Sequence, residues 1–190
     1  MRGSICLSVM FCLLLVPMVI ASGQESKKPA KSLLKNHCFE TCNKSGDVLF
    51  PGWKMVPIEA SATLKSDTTT PPGRKSKVSA LVDVEGLSTS GYACVIFEYV
   101  GNDDFALQKG KKYQLAFYAK SSGTINKVNI VVPKQEGTIM AESTVEGIGK
   151  EWKQFKTEFE LKEDYQKSRI IFNISAVGRI WFDIVELTVK

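Results

Sequence analysis

Gly110-Lys111-Lys112-Tyr113-Gln114-Leu115-Ala116-Phe117-Tyr118-Ala119-Lys120 is the stretch that decides the fold class. Tyr113, Leu115 and Phe117 share one parity, while Gln114, Ala116 and Tyr118 share the other, a period of two that belongs to a half-buried strand. The same period recurs on both sides of it. Val78, Ala80, Val82 and Val84 alternate with Ser79 and Asp83; Phe155, Phe159 and Leu161 share a parity, as do Ile170, Phe172 and Ile174. Each run predicts one strand.

Turn chemistry punctuates these runs: Pro71-Pro72-Gly73, Gly101-Asn102-Asp103-Asp104, Lys109-Gly110, Ser121-Ser122-Gly123, Gly147 with Gly149, and Val177-Gly178. Glycine supplies positive φ in such turns and Asn or Asp tolerates it. The most helix-like segment, Leu161 to Gln166, is too short to organise a domain. Short strands at this spacing without a long amphipathic helix predict an all-β, antiparallel β-sandwich. The final run, Ile180-Trp181-Phe182-Asp183-Ile184-Val185-Glu186-Leu187, is apolar on both parities until Glu186 and predicts a centrally placed strand covered on both faces. Asp183 is then a carboxylate in apolar surroundings, which needs a hydrogen-bond network, a cation or a metal.

The chain has 190 residues, 44% of them apolar and 24% charged, a composition that supports one globular core. A glycosidase barrel of about 250 residues does not fit. Residues 1–23 read as a signal peptide: Arg2 is followed by an apolar run from Ile5 to Ile20 and by Ala21-Ser22-Gly23, with cleavage expected before Gln24. Residues 24–32 form a polar, lysine-rich linker, and the sandwich is expected over 33–190. The expected protein is secreted, periplasmic or extracellular, with no stable membrane insertion after cleavage. The formal charge of +5 is spread along the chain rather than gathered in a stripe with aromatics, which argues against a nucleic-acid partner. Outside the leader, Cys38, Cys42 and Cys94 remain; Cys38 and Cys42 flank a turn and could bridge, whereas Cys94 sits in an apolar run as a small hydrophobe.

In order, Asn36-His37-Cys38-Phe39-Glu40, Pro51-Gly52-Trp53, the Gly110 to Lys120 stretch, Glu151-Trp152-Lys153-Gln154-Phe155, and Trp181 to Leu187 resemble the carbohydrate-binding modules of the family four and nine type. The resemblance covers Leu33 to Leu187 and implies a jelly-roll sandwich of the galactose-binding-like fold. It also implies a structural calcium ion held by Glu40 and Asp183 with main-chain carbonyls, since calcium takes six to eight oxygen ligands. Where the family pattern often has a second acid, this chain has Ile184. The three tryptophans, Trp53, Trp152 and Trp181, fall in segments whose aromatics usually pack structurally in that family, and Trp53 is the best candidate among them for a binding contact.

A sugar-binding sheet combines an apolar or aromatic contact with amides and charges that hydrogen-bond hydroxyls. If the strands concerned share a concave sheet, Tyr118, Asn129, Asn173, Arg169 and Glu98 line its cleft, with Trp53 nearby. Two sequons, Asn43-Lys44-Ser45 and Asn173-Ile174-Ser175, would matter only in a eukaryotic secretory pathway. Glu98, Glu142 and Glu158 are acids available for glycoside chemistry, but no local motif pairs them, and the lone His37 has no nucleophile constellation around it. The expected function is therefore non-catalytic binding of a polysaccharide or glycan. The alternatives are a structural or adhesion sandwich of the envelope or extracellular matrix that binds no sugar, and an accessory domain associated with glycoside hydrolase activity.

Overall fold

The computed structural model describes residues 31–43, 49–91, 93–100, 105–134 and 137–190, so the expected leader and most of the linker lie outside the described residues. Ten strands follow one another: β1 (Trp53–Ile58), β2 (Ala60–Asp67), β3 (Ser79–Leu87), β4 (Cys94–Val100), β5 (Lys112–Gly123), β6 (Lys127–Pro133), β7 (Ile139–Glu146), β8 (Lys153–Glu160), β9 (Arg169–Ile174) and β10 (Gly178–Val189). They form two antiparallel five-stranded sheets, β1-β4-β9-β6-β7 and β2-β3-β10-β5-β8. The all-β sandwich expected from the sequence is the architecture found. Residues 161–166 form no helix. Among the described residues no helix is long and apolar enough to cross a membrane.

The parity of each strand decides what it buries. Tyr113, Leu115, Phe117 and Ala119 of β5 face inward, as do Ala80, Val82 and Val84 of β3 and Ile170, Phe172 and Ile174 of β9. Between the sheets an aromatic cluster forms: Phe97 lies 5.0 Å from Trp53, 5.2 Å from Phe182 and 6.2 Å from Phe172, ring centre to ring centre. Offset and edge contacts at these separations add about 0.5–1.5 kcal/mol each beyond area burial. Trp53, only 2% exposed, is thus part of the core and not of a binding surface. Its neighbour Lys54 points outward, so the alternation of β1 turns the indole in.

β10 occupies the centre of its sheet, between β3 and β5, as its double-sided apolar pattern predicts. Its pairing with β5 is interrupted: Asp183 faces Tyr118 but Glu186 faces Ala116, so one extra residue is inserted. Ile184 at this bulge has φ 48°. Beyond Phe182, where pairing with β3 ends, β10 offers a donor and an acceptor to the chain's N-terminal segment, which docks there: Val185 N donates to His37 O at 2.7 Å, and Leu187 O accepts from Leu33 N at 2.8 Å.

Candidate functional site

Cross-strand register builds two rows of side chains across the outer face of the β1-β4-β9-β6-β7 sheet. One row is Lys54, Glu98, Ile171, Val131 and Glu142; the next is Val56, Ile96, Asn173, Asn129 and Thr144. Four of the expected site residues, Glu98, Arg169, Asn173 and Asn129, are therefore brought together on one face. Tyr118 is not among them. It is outward-facing as its parity predicts, but β5 belongs to the other sheet, so it lies across the whole thickness of the sandwich. Trp53 is excluded by its burial in the core.

At one end of the face Glu98 is 2% exposed, an unusual position for a carboxylate on an outward parity. Two cations compensate it: Lys54 Nζ at 3.0 Å from Oε1 and Arg169 Nη1 at 3.3 Å from Oε2. Lys54 comes from the directly opposed position on β1 and Arg169 from the diagonal position on β9, both within cross-strand reach. Toward the other end, Asn129 Nδ2 donates to Glu142 Oε1 at 2.6 Å, and Thr144 Oγ1 donates to Asn129 Oδ1 at 3.4 Å. Asn173, opposite Asn129, has a buried Oδ1 without a hydrogen-bond partner. Asn129, Asn173, Thr144, Lys127 and Ser175 line a shallow cleft of about 240 Å³. Ile96, Ile171 and Val131 supply half-buried aliphatic surface between the two polar ends. No aromatic ring belongs to this face among the described residues.

Lys54, Lys127, Thr144 and Ser175 escaped the sequence reading. The first three could have been found by extending the alternation of β1, β6 and β7 outward from Glu98 and Asn129. Ser175 lies beyond the end of β9 and carried no such signal.

A second polar constellation sits on the opposite side, where the N-terminal segment meets the β10 bulge. Glu40 Oε1 accepts from Ser76 Oγ at 3.0 Å, Lys77 N at 2.6 Å and Val78 N at 3.3 Å. Asp183 Oδ1 lies 3.0 Å from the same Ser76 hydroxyl and accepts from Ile184 N at 2.7 Å. Val78 O and Cys38 O are 3.1 and 3.5 Å from Ser76 Oγ. One hydroxyl proton thus faces four oxygen acceptors and can satisfy one of them. Asp183 is fully buried, and its Oδ2 has no hydrogen-bond partner among the described residues. Burial pushes the Asp183 carboxyl up to about 6, helped by the charge of Glu40 and opposed by the bonds from Ser76 and Ile184 N. Burial also works on Glu40, but hydrogen bonds from Lys77 N, Ser76 and Val78 N hold its carboxyl below the usual range. Burial and then the charges of Asp183, Glu186 and Glu40 raise the Cys38 thiol to about 11. Among the described residues no three His, Cys, Asp or Glu side chains converge as a metal-binding group, so any cation here would draw on the hydroxyl and the carbonyls. Ser76, which joins the two carboxylates, lies in a loop and had no motif to announce it.

Cys38, Cys42 and Cys94 are all free thiols, with Cys94 buried as its sequence context predicts. The indoles of Trp152 and Trp181 depart from the expectation of structural packing in the core. Both lie half-buried on the outer face of the β2-β3-β10-β5-β8 sheet, because Trp181 has the parity opposite to Ile180 and Phe182, and Trp152 precedes β8 beside Lys120.

No protein-family model matches the chain, and no curated protein does. Solved structures do resemble it. An arabinose-bound α-L-arabinofuranosidase, MgGH51, superimposes with a TM-score of 0.67 at 16% identity over 84% of this chain, which spans only 26% of that enzyme. A CBM4 structure gives 0.62 at 18% identity, covering 83% of this chain and 99% of that one. A putative sugar binding protein from Bacteroides thetaiotaomicron gives 0.56 at 18% identity, covering 84% and 100%. At these identities the likeness is one of fold: the chain is an antiparallel β-sandwich similar to carbohydrate-binding modules.

Proposed function

We propose that the outer face of the β1-β4-β9-β6-β7 sheet binds a polysaccharide or glycan without chemically changing it. The observation that carries this reading is the convergence of Asn129, Asn173, Thr144 and the Lys54–Glu98–Arg169 group on one open face. Amides, hydroxyls and fixed charges of this kind match sugar hydroxyls, and the Asn173 amide has spare hydrogen-bonding capacity there. Ile96, Ile171 and Val131 offer C–H contact in place of a stacked ring. Glu98 is committed to two cations and Glu142 to Asn129, which suits both to holding the face together rather than to acid–base work. The likeness in fold to a CBM4 structure and to a putative sugar binding protein supports the same reading.

The test is affinity electrophoresis of the protein in gels containing soluble xylan, β-glucan or arabinan. Retardation by one of these, lost in Asn129→Ala/Asn173→Ala, supports the proposal. Absence of retardation by all of them, with calcium present, overturns it. The lack of an aromatic ring on this face among the described residues favours a second reading, a structural or adhesion sandwich that binds no sugar, and that negative result is what it expects.

On the same reading Glu40 and Asp183 hold a structural calcium ion with Ser76 Oγ and the carbonyls of Cys38 and Val78. The oxygen-only donors, the partnerless Asp183 Oδ2 and the over-subscribed Ser76 hydroxyl support it. The ion would neutralise the paired carboxylates and pin the N-terminal segment to β10. The protein is then an exported one, a reading supported by residues 1–23, and the N-terminus of the secreted form should be Gln24.

A further inference from the structure

The face opposite the cleft carries the outward aromatic surface among the described residues. Register across it places Leu81, Trp181 and Lys120 side by side on β3, β10 and β5, with Trp152 on the far side of Lys120. Lys120 Nζ lies 4.6 Å from the centre of the Trp181 ring and 5.4 Å from that of Trp152. In the adjacent row Arg74 donates to the Tyr118 hydroxyl and stands 4.9 Å over its ring. Trp152 Nε1 has no acceptor, and the Trp181 indole N–H lies toward the Asp67 carboxylate without reaching a regular hydrogen bond.

The charges here are unequal in kind. Asp83, on the row beyond, is neutralised by Arg179 at 3.1 Å and Lys65 at 3.8 Å. Among the described residues neither Lys120 nor Arg74 has an ion-pair partner; the carboxylate that feels Lys120 is Asp67, which is itself bonded to Thr69. Two cations held against aromatic rings, neither of them in an ion pair among the described residues, suit an anionic ligand that also offers apolar C–H surface. A pyranose bearing a carboxylate has both. Trp181 on β10 and Trp152, immediately before β8, flank Lys120 of β5, so two strand spacings set them about 10 Å apart, close to the length of a disaccharide repeat.

We propose that this face is a second binding surface, independent of the cleft, and that its ligand is a polyuronate: pyranuronate rings lie against the two indoles while their carboxylates meet Lys120 and Arg74.

Affinity electrophoresis of the full chain in polygalacturonate gels tests it, with neutral β-glucan gels in parallel. The expected result is retardation by polygalacturonate that persists in about 0.1 M salt, where exposed charges are screened beyond roughly 10 Å. Trp152→Ala and Lys120→Gln should each weaken it by about tenfold, the size of a desolvated cation–π contact. Trp152→Ala leaves the net charge untouched, so its loss of binding cannot come from general attraction of a basic chain to a polyanion. Asn129→Ala/Asn173→Ala should leave polygalacturonate binding intact, whatever it does to neutral glycans, which separates failure of the cleft reading from failure of this one. If Trp152→Ala does not fold, Trp152→Leu, which also leaves the net charge unchanged, takes its place. No retardation of the unmodified protein by polygalacturonate, retention of full affinity by the folded variants, or equal loss in the double asparagine variant would overturn the proposal.

Discussion

Asp183 shows how one buried group ties chemistry to stability. Its carboxyl titrates near 6 in the folded protein against an ordinary value of 3.8, so the folded state takes up a proton at a pH where the unfolded chain has already lost it. Stability should therefore rise as pH falls from about 7.5 to 5, by roughly 1.5 kcal/mol. Glu40, shifted the opposite way, titrates below that window and does not cancel the trend. Thermal melts of chelator-treated protein should show the midpoint climbing by several degrees over this range, Asp183→Asn should flatten the profile, and saturating calcium should raise the midpoint most at the higher pH. An unchanged midpoint on adding calcium would remove Glu40 and Asp183 as ligands. Glu98 presents the complementary case, a buried charge already paired. Arg169→Ala should cost about 2–3 kcal/mol in urea unfolding, because it strips one of the two cations from a carboxylate whose side chain is 3% exposed. The need of Asp183 for a partner was legible in its apolar flanks, and the partners were not: Ser76 lies 107 residues away and reaches it only through the fold.

Among the elements, parity was legible and sheet membership was not. Tyr113 to Ala119 announced which side chains of β5 go inward, but nothing local says that β5 pairs with β10 and β8 while β6 pairs with β9 and β7. That choice decides which outward residues meet. It united Asn129 with Asn173, sent Tyr118 to the opposite face, and set Trp181, already outward by its parity, beside Lys120. The turn between β9 and β10 illustrates a different constraint. Gly178 has φ 138° and sits against Gly123, and a Cβ at Gly178 would lie 2.2 Å from Ser122 O. Gly178→Ala must push β5 and β10 apart or distort the backbone, and should destabilise the protein by about 3 kcal/mol or more. Gly137→Ala, at φ 91° but with no atom within 4 Å of the added methyl, should cost only its backbone strain. Comparing the two by thermal melting separates steric closure of the β5–β10 crossing from φ alone.

At the scale of the molecule, both sheets contribute to one aromatic core: Trp53 and Phe97 come from one sheet, Phe117 and Phe182 from the other. Neither sheet can bury its inner face alone, so unfolding should be a single cooperative transition. The tryptophans report it from two depths, Trp53 in the centre and Trp152 and Trp181 outside. Fluorescence and far-ultraviolet circular dichroism should give coincident midpoints in urea, and Phe97→Ala should lower both together as it removes about 3–5 kcal/mol of stability. Separate transitions would mean that the layers fold as distinct units. The docking of the N-terminal segment has a mechanical consequence as well. Leu33 bonds to Leu187 and His37 to Val185, an antiparallel arrangement in which residue 31 and Lys190 leave from the same end. Tension applied between those two points would load these bonds one after another, in unzipping rather than shear geometry. The first event under force should be a low-force peeling of residues 31–43 that uncovers Asp183 while the two sheets are still intact.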